Sequence, residues 1–380
     1  MHSEGFIRLL EEAVGKERAL VALDALSLTP SVSIRLNPSK IRECPFEGAK
    51  RVPWSPFGFI LPERPVFTLD PLFHAGCYYV QDSSAMFVGW IFRKVMDLLG
   101  SDQLSVLDLC AAPGGKTTDL AASLREKLGD SFSLVANEVM KKRFSILRSN
   151  VRTWGDPRVG VVSRDPSAFR EKGVYDIILA DVPCSGEGMF RKDEKAVEDW
   201  SEETVAFCAA RQKRIISDIW PSLKDGGFLI YSTCTFNREE NDGNVEWIAD
   251  ELGAEIIDFG EVEGIIKTPS GYSLLPGFVP GEGQYAAALR KNGEYDPSRR
   301  GNVLSSTEIP SAVLKDYPRV DLELPLALDY LHGDALRLPD APSGMIYVCY
   351  KGQVLGEAKN IGSRCNNLYP KENRIRMTVK

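Results

Sequence analysis

In the middle of this chain, short unbroken apolar runs alternate with stretches of helical period. The runs are 104–109 (LSVLDL), 131–137 (SFSLVAN), 159–163 (VGVVS), 175–181 (YDIILAD), 227–233 (GFLIYST) and 254–259 (AEIIDF). Runs this short, apolar on both faces, predict buried strands rather than helices. Helices are predicted between them over 116–128, 140–153, 201–223 and 238–252. The alternation implies βαβ units and an α/β fold built on a doubly wound, mostly parallel sheet. A Gly/Pro-rich loop joins 254–259 to 284–291, which predicts an antiparallel hairpin at one sheet edge. A further helix is expected over 82–99, capped by Asp82 or Ser83.

The flanks read differently. An amphipathic helix is expected over 4–26, followed by a loop-rich stretch carrying Pro30, Pro38, Pro45, Pro53, Pro56, Pro62 and Pro65. Residues 1–70 are therefore expected as a small N-terminal α/β part, 71–292 as the main domain and 293–330 as a connector. Residues 331–380, with Met345-Ile346-Tyr347-Val348, are expected as a β-rich module.

With 380 residues, 43% of them hydrophobic, the chain can bury one large core and smaller satellites. No apolar run reaches transmembrane length, and Met1-His2-Ser3-Glu4 is not a signal peptide, so a cytoplasmic protein without membrane contact is expected. Eight cysteines without zinc-ligand pairs, and only three histidines, suit free thiols and no metal. Cys77, Cys208, Cys349 and Cys365 read as small buried hydrophobes. A net charge of −7 argues weakly against a nucleic-acid partner, but local patches decide that question.

Ligands of doubly wound sheets sit at the carboxyl ends of the strands. Here Asp108 ends the first strand, and Cys110-Ala111-Ala112-Pro113-Gly114-Gly115-Lys116 turns into the first helix. Glu138, Asp165 and Asp181 stand at the ends of the next three strands. Burying four unpaired carboxylates is costly, so they suggest a ligand rich in hydroxyl, amino and cationic groups, such as S-adenosyl-L-methionine. A phosphate-binding loop fits worse. Its first glycine is replaced by Cys110, and Pro113 lacks a backbone donor.

Cys184 follows Pro183 after the fourth strand, and Cys234 ends the next one. Parallel neighbours lie close together, so both thiols can face one substrate. Thiolate addition at C6 of a pyrimidine makes C5 nucleophilic toward a sulfonium methyl. Lys116 is a candidate to favour the thiolate, and Asp181 to stabilise the adduct. Residue type and position do not choose between the two cysteines.

DLCAAPGGKT (108–117), ADVPCSGEG (180–188) and YSTCTFNREEN (231–241) resemble the Nol/Nop/Sun family of RNA cytosine-5 methyltransferases. SIRLNP (33–38), GCYYVQD (76–82), GEGMFRKD (186–193) and RCNNLYP (364–370) are similar to its bacterial ribosomal-RNA branch. The resemblance implies a Rossmann-like class I methyltransferase with S-adenosylmethionine as cofactor. It implies Cys234 as nucleophile and Cys184 as the residue that helps release product. Cofactor contacts would come from 110–116, Glu138, Arg143, Asp165 and Asp181. The tail would be a PUA-like RNA-binding module.

The expected product is a C5-methylated cytidine, in 16S ribosomal RNA of the small subunit. Transfer RNA is the nearest alternative substrate, and a non-catalytic assembly factor the alternative of another class. A monomer is expected. RNA contacts are expected from Arg35, Asn37 and Lys40, near Arg42, Lys50 and Arg51. More are expected from the tail, where Arg364, Asn367, Tyr369, Arg374 and Arg376 lie. Residues 351–380 carry seven basic residues, Lys380 included, against Glu357 and Glu372. Lys141, Lys142, Arg143 and Arg148 form another basic run, of the kind usually seen on a solvated helix face.

Overall fold

A computed structural model describes residues 2–299, 301, 303–311 and 314–377. Lys380, counted in the basic tail above, lies outside the described residues. Near the N-terminus, β1 (Val32–Leu36), β2 (Lys50–Arg51), β3 (Gly58–Leu61) and β4 (Tyr78–Val80) form an antiparallel sheet ordered β2-β3-β1-β4. This sheet runs past residue 70. The expected single helix over 4–26 is instead two, α1 (Glu4–Val14) and α2 (Lys16–Leu26). They part at Gly15, whose positive φ ends one helix and begins the next. A short helix, α3 (Pro71–His74), precedes β4.

The central sheet holds β5 (Leu104–Asp108), β6 (Phe132–Asn137), β7 (Val159–Val162), β8 (Tyr175–Asp181), β9 (Leu223–Thr233), β10 (Ala254–Ile257), β11 (Ile266–Lys267), β12 (Tyr272–Leu274) and β13 (Gln284–Lys291). Its order is β11-β12-β13-β9-β8-β5-β6-β7, with β10 also against β13. Strands β5 to β9 run parallel, and β13 is antiparallel to β9. Order reverses between β5 and β8, so a crevice opens at their carboxyl ends. The β10–β13 pair is antiparallel as expected. The loop between them, though, contributes two more strands, and β13 is paired on both sides.

Helices cover both faces: α4 (Phe87–Leu99), α5 (Gly115–Leu128), α6 (Lys141–Trp154), α7 (Glu194–Glu198), α8 (Glu202–Ile219) and α9 (Asp242–Leu252). Helix α4 starts at Phe87, later than expected, and no side chain caps it. Asp82 is occupied elsewhere, accepting from the backbone N–H of Ser84 and of Glu282. Ser201 does cap α8. Pro221 ends that helix early, and β9 begins at Leu223 rather than 227.

The C-terminal module contains α10 (Leu324–His332) and four strands, β14 (Arg319–Asp321), β15 (Gly344–Tyr350), β16 (Gln353–Asn360) and β17 (Cys365–Asn367). It therefore begins ahead of residue 331. It shares one apolar core with the N-terminal sheet, in which Ile34, Phe59 and Tyr78 meet Tyr330, Ile346, Val348 and Tyr369. Gln353 Nε2 also donates to Lys40 O at 3.0 Å across this junction. No helix among the described residues is long and apolar enough to cross a membrane.

Candidate active site

The first wall of the crevice is the turn from β5 into α5. Gly114 has φ +110°, and a Cβ there would lie 3.3 Å from Leu147 Cδ1. The turn is held from outside: Ala112 O accepts from Arg143 Nη2 at 2.5 Å, and Pro113 O from Asn150 Nδ2 at 2.7 Å. Asn137, the last residue of β6, reaches Leu109 O and Arg164 O and accepts from Arg164 N. It ties the turn to the loop after β7. Nothing in its local sequence distinguished it.

The strand-end acids differ in environment. Asp108 is fully buried, with Oδ2 accepting from Thr117 Oγ1 at 2.6 Å; burial pushes its carboxyl up to about 7. Glu138 lies one residue beyond β6, its Oε1 capping Met140 N at 2.8 Å. Arg143 Nη1 is 3.2 Å from Glu138 Oε2. Asp165 is exposed and lies three residues beyond β7. Its Oδ1 accepts from the Ser167 hydroxyl and N–H, which holds its carboxyl below the usual range. Two buried oxygens in this crevice accept no hydrogen bond within the protein: Asp108 Oδ1, and Glu138 Oε2, which faces only the Arg143 guanidinium. Buried acceptors left open in this way are suited to donors on a ligand.

The opposite wall carries the thiols. Cys184 Sγ and Cys234 Sγ are 3.3 Å apart. All eight cysteines are free, and Cys77, Cys208, Cys349 and Cys365 are buried. The two crevice thiols are not equivalent. The hydrogen bond to Cys184 holds Cys234 below the ordinary thiol range, helped by the nearby Lys116 ammonium. Cys184, bonded to that sulfur and buried, is pushed well above it. Lys116 Nζ pairs with Asp181 Oδ2 at 2.8 Å, and Asp181 Oδ1 accepts from Ser232 Oγ at 2.8 Å. Burial raises the remaining crevice thiol, Cys110.

Behind the thiols lies a buried polar network that the sequence did not reveal. Glu240 accepts from Ser185 N, Gln212 Nε2 and Asn237 Nδ2, and burial raises its carboxyl to about 7. Glu187 accepts from Phe236 N, Asn237 N and Trp200 Nε1. These bonds tie the turn after Cys184 to the turn after Cys234. Gly188 sits on that junction, where a Cβ would lie 2.9 Å from Cys234 O.

Several expected RNA contacts require correction. Arg35 is fully buried: Nε donates to Gln81, Nη2 to Gly115 O and Thr118 Oγ1, and the guanidinium lies over Trp154. Asn37 is buried between Gly76 O and Trp154 O, to which it donates. Lys40 spends its ammonium on Ala75 O and Thr153 O, and burial lowers it to about 8. Asn367 donates to Tyr330 O and Asp334 O. Tyr369 is packed in the module core, 5.5 Å from the Tyr330 ring, and is no free platform on the tail. Arg374 is half-buried and bonds Tyr369 O. Arg364 and Arg376 are exposed.

The crevice therefore combines open carboxylate oxygens, a glycine turn and a thiol pair. Residues 95–290 match the family described as 16S rRNA methyltransferase RsmB/F. The chain belongs to the RsmB/F family. Residues 3–83 match the N-terminal domain of 16S rRNA methyltransferase RsmF, and 317–375 match the methyltransferase RsmF PUA domain. Among curated relatives, ribosomal RNA small subunit methyltransferase F of Klebsiella pneumoniae (strain 342) is 34% identical over 260 residues, covering 65% of this chain and 52% of that protein. The same-named protein of Cronobacter sakazakii (strain ATCC BAA-894) is 32% identical over 318 residues, covering 77% and 64%. The chain thus spans little more than half the length of the relatives it matches. Among solved structures, a methyltransferase homologue from Pyrococcus horikoshii is 26% identical with a TM-score of 0.61, covering 76% of this chain and 99% of that one. NSun6 from Pyrococcus horikoshii, at 20% identity and TM-score 0.61, shares the fold.

This bears out the Rossmann-like architecture and the bacterial branch expected from the motifs. The RsmB/F proteins are methyltransferases with S-adenosylmethionine as cofactor, and the two open carboxylate oxygens fit its hydroxyl and amino donors.

Proposed function

We propose that this chain methylates C5 of a cytidine in small-subunit ribosomal RNA through a covalent Cys234–C6 adduct. The observation that carries the reading is the thiol pair at 3.3 Å beside the Lys116–Asp181 ion pair. The names and family of the relatives support ribosomal RNA as the substrate class.

When bound, S-adenosylmethionine supplies an electrophilic methyl group on sulfonium. Glu138 would hold its ribose hydroxyls, and Asp108 and Asp165 would take further donors. The turn 110–116, braced by Arg143, would form the wall against it. The target base must leave its stack to reach the crevice. Cys234 thiolate then adds to C6, and the electron pair of the 5,6 double bond makes C5 nucleophilic. The Lys116 ammonium, kept in place by Asp181, offsets negative charge developing on the ring. After C5 gains the methyl group, a water admitted to the crevice takes its proton, the C5–H electron pair re-forms the 5,6 double bond, and the C6–S bond breaks to return Cys234 as thiolate. Cys184, already in contact with the departing sulfur, assists this release.

The test is transfer of labelled methyl groups to small-subunit RNA from cells lacking the modification. The expected product is 5-methylcytosine at a discrete site. Methyl groups found on another atom, or no transfer to any RNA, would overturn the proposal.

A further inference from the structure

Three hollows run into one another along the seam between the N-terminal sheet, α6 and the C-terminal module. The middle one, about 330 Å³, is walled by Phe73 and Tyr79, by Asn150 and Trp154 of α6, and by Tyr369 and Asn373. It shares Phe73 and Val80 with a hollow of about 530 Å³ beneath Arg64. At the other end it shares His74, Thr153, Tyr369 and Asn373 with a hollow of about 330 Å³ that reaches Arg152. The middle hollow also touches the cofactor turn. Tyr79 Oη and Asn150 Nδ2 both donate to Pro113 O, at 3.4 and 2.7 Å.

We propose that this seam binds an unpaired stretch of the RNA substrate, with one nucleobase seated in the middle hollow against Phe73 and Tyr79. The inference rests on the RNA reading above and adds a site away from the thiols. Half-buried aromatic rings offer faces on which any base can stack. The amide oxygen of Asn150, whose Nδ2 is held by Pro113 O and Tyr79 Oη, offers an acceptor to a base edge, and the Asn373 amide both a donor and an acceptor. Exposed Arg64 and Arg152 stand at opposite ends of the seam, where each can pair with a phosphate. Glu357, at the Arg152 end, lies 3.7 Å from the Lys315 ammonium, which offsets its charge. A partner helix would need a continuous apolar groove. Ser149, Asn150, His74 and Asn373 interrupt this one.

The test uses the full chain with small-subunit RNA carrying scattered 4-thiouridine, irradiated and digested for mass spectrometry. Cross-links are expected in the peptides spanning 73–80 and 369–373. In parallel, Ser149→Phe fills the middle hollow from the surface of α6 without removing packing. It should weaken RNA affinity about tenfold, the scale of one lost base stack, while its melting curve stays that of the wild type. If that variant misfolds, Arg64→Glu serves instead and should flatten the salt dependence of RNA binding. Cross-links confined to other peptides, with both variants binding RNA as the wild type does, would overturn the seam site alone. A wild-type chain that binds cofactor but no RNA would overturn the RNA reading beneath it.

Discussion

Replacing Cys184 by alanine removes the hydrogen bond that holds Cys234 below the ordinary thiol range and leaves Lys116 and Asp181 in place. That bond spans 3.3 Å between the two sulfurs. A hydrogen bond to a charged group contributes roughly 1.5–3 kcal/mol, or about a tenfold to hundredfold change in an equilibrium constant. Near neutral pH, the thiolate fraction of Cys234 and the rate of addition to C6 should fall by that factor. Because the Cys184 bond holds Cys234 low, wild-type addition should level off at a lower pH than addition by Cys184→Ala. The variant's rate should keep climbing toward the ordinary thiol range. Release should be slowed more than addition, because the group touching the departing sulfur is gone. Over hours Cys184→Ala should therefore accumulate an RNA–protein species that survives denaturing electrophoresis. Cys234→Ala and the double variant should form none. An adduct from Cys234→Ala, with Cys184→Ala simply inactive, would reverse the assignment. No adduct from either, with activity retained, would remove the covalent mechanism.

Glu138→Ala should weaken S-adenosylmethionine binding by roughly 1–3 kcal/mol in calorimetry, the scale of a lost charged hydrogen bond, without lowering the melting temperature much. Arg35→Leu should destabilise the fold by about 3–5 kcal/mol in denaturant titration, because it leaves Asp119 buried without that cation beside it. The Glu240 carboxyl keeps its proton to about pH 7 in the fold, against an ordinary value of 4.5. Its contribution to stability is thus complete below that ordinary value and is lost as pH rises through about 7. Asp108 acts in the same direction. Glu240→Gln should flatten this decline in thermal melts. Charge reversal at exposed Arg364 and Arg376 should weaken RNA binding and reduce its salt dependence, leaving cofactor affinity unchanged.

The parallel core was legible because strands buried on both faces read as unbroken apolar runs, as LSVLD and YDIILAD do. β1 was not, since its buried face includes Arg35, whose polar partners lie as far along the chain as Thr118. A charge in a sequence carries no record of whether it is paired. The same arginine that suggested an RNA patch is a brace on the helix after the cofactor turn. The thiols and the turn were legible as motifs because their chemistry is concentrated in a few neighbouring residues. Gln212, Glu187 and Glu240 were not, because their shared network exists only once α8 is laid beside two loops. β11 and β12 are two and three residues long, too short for any period to show.

The apolar core joining Ile34, Phe59 and Tyr78 to Tyr330, Ile346 and Tyr369 bears on the order in which this chain can assemble. During synthesis the N-terminal sheet leaves the ribosome long before the segment that covers it. Its inner face must then stay wet, or be shielded by a chaperone, while more than two hundred intervening residues are made. The central sheet has no such wait for the tail. The N-terminal sheet and the C-terminal module should therefore close together last, after the central sheet has formed.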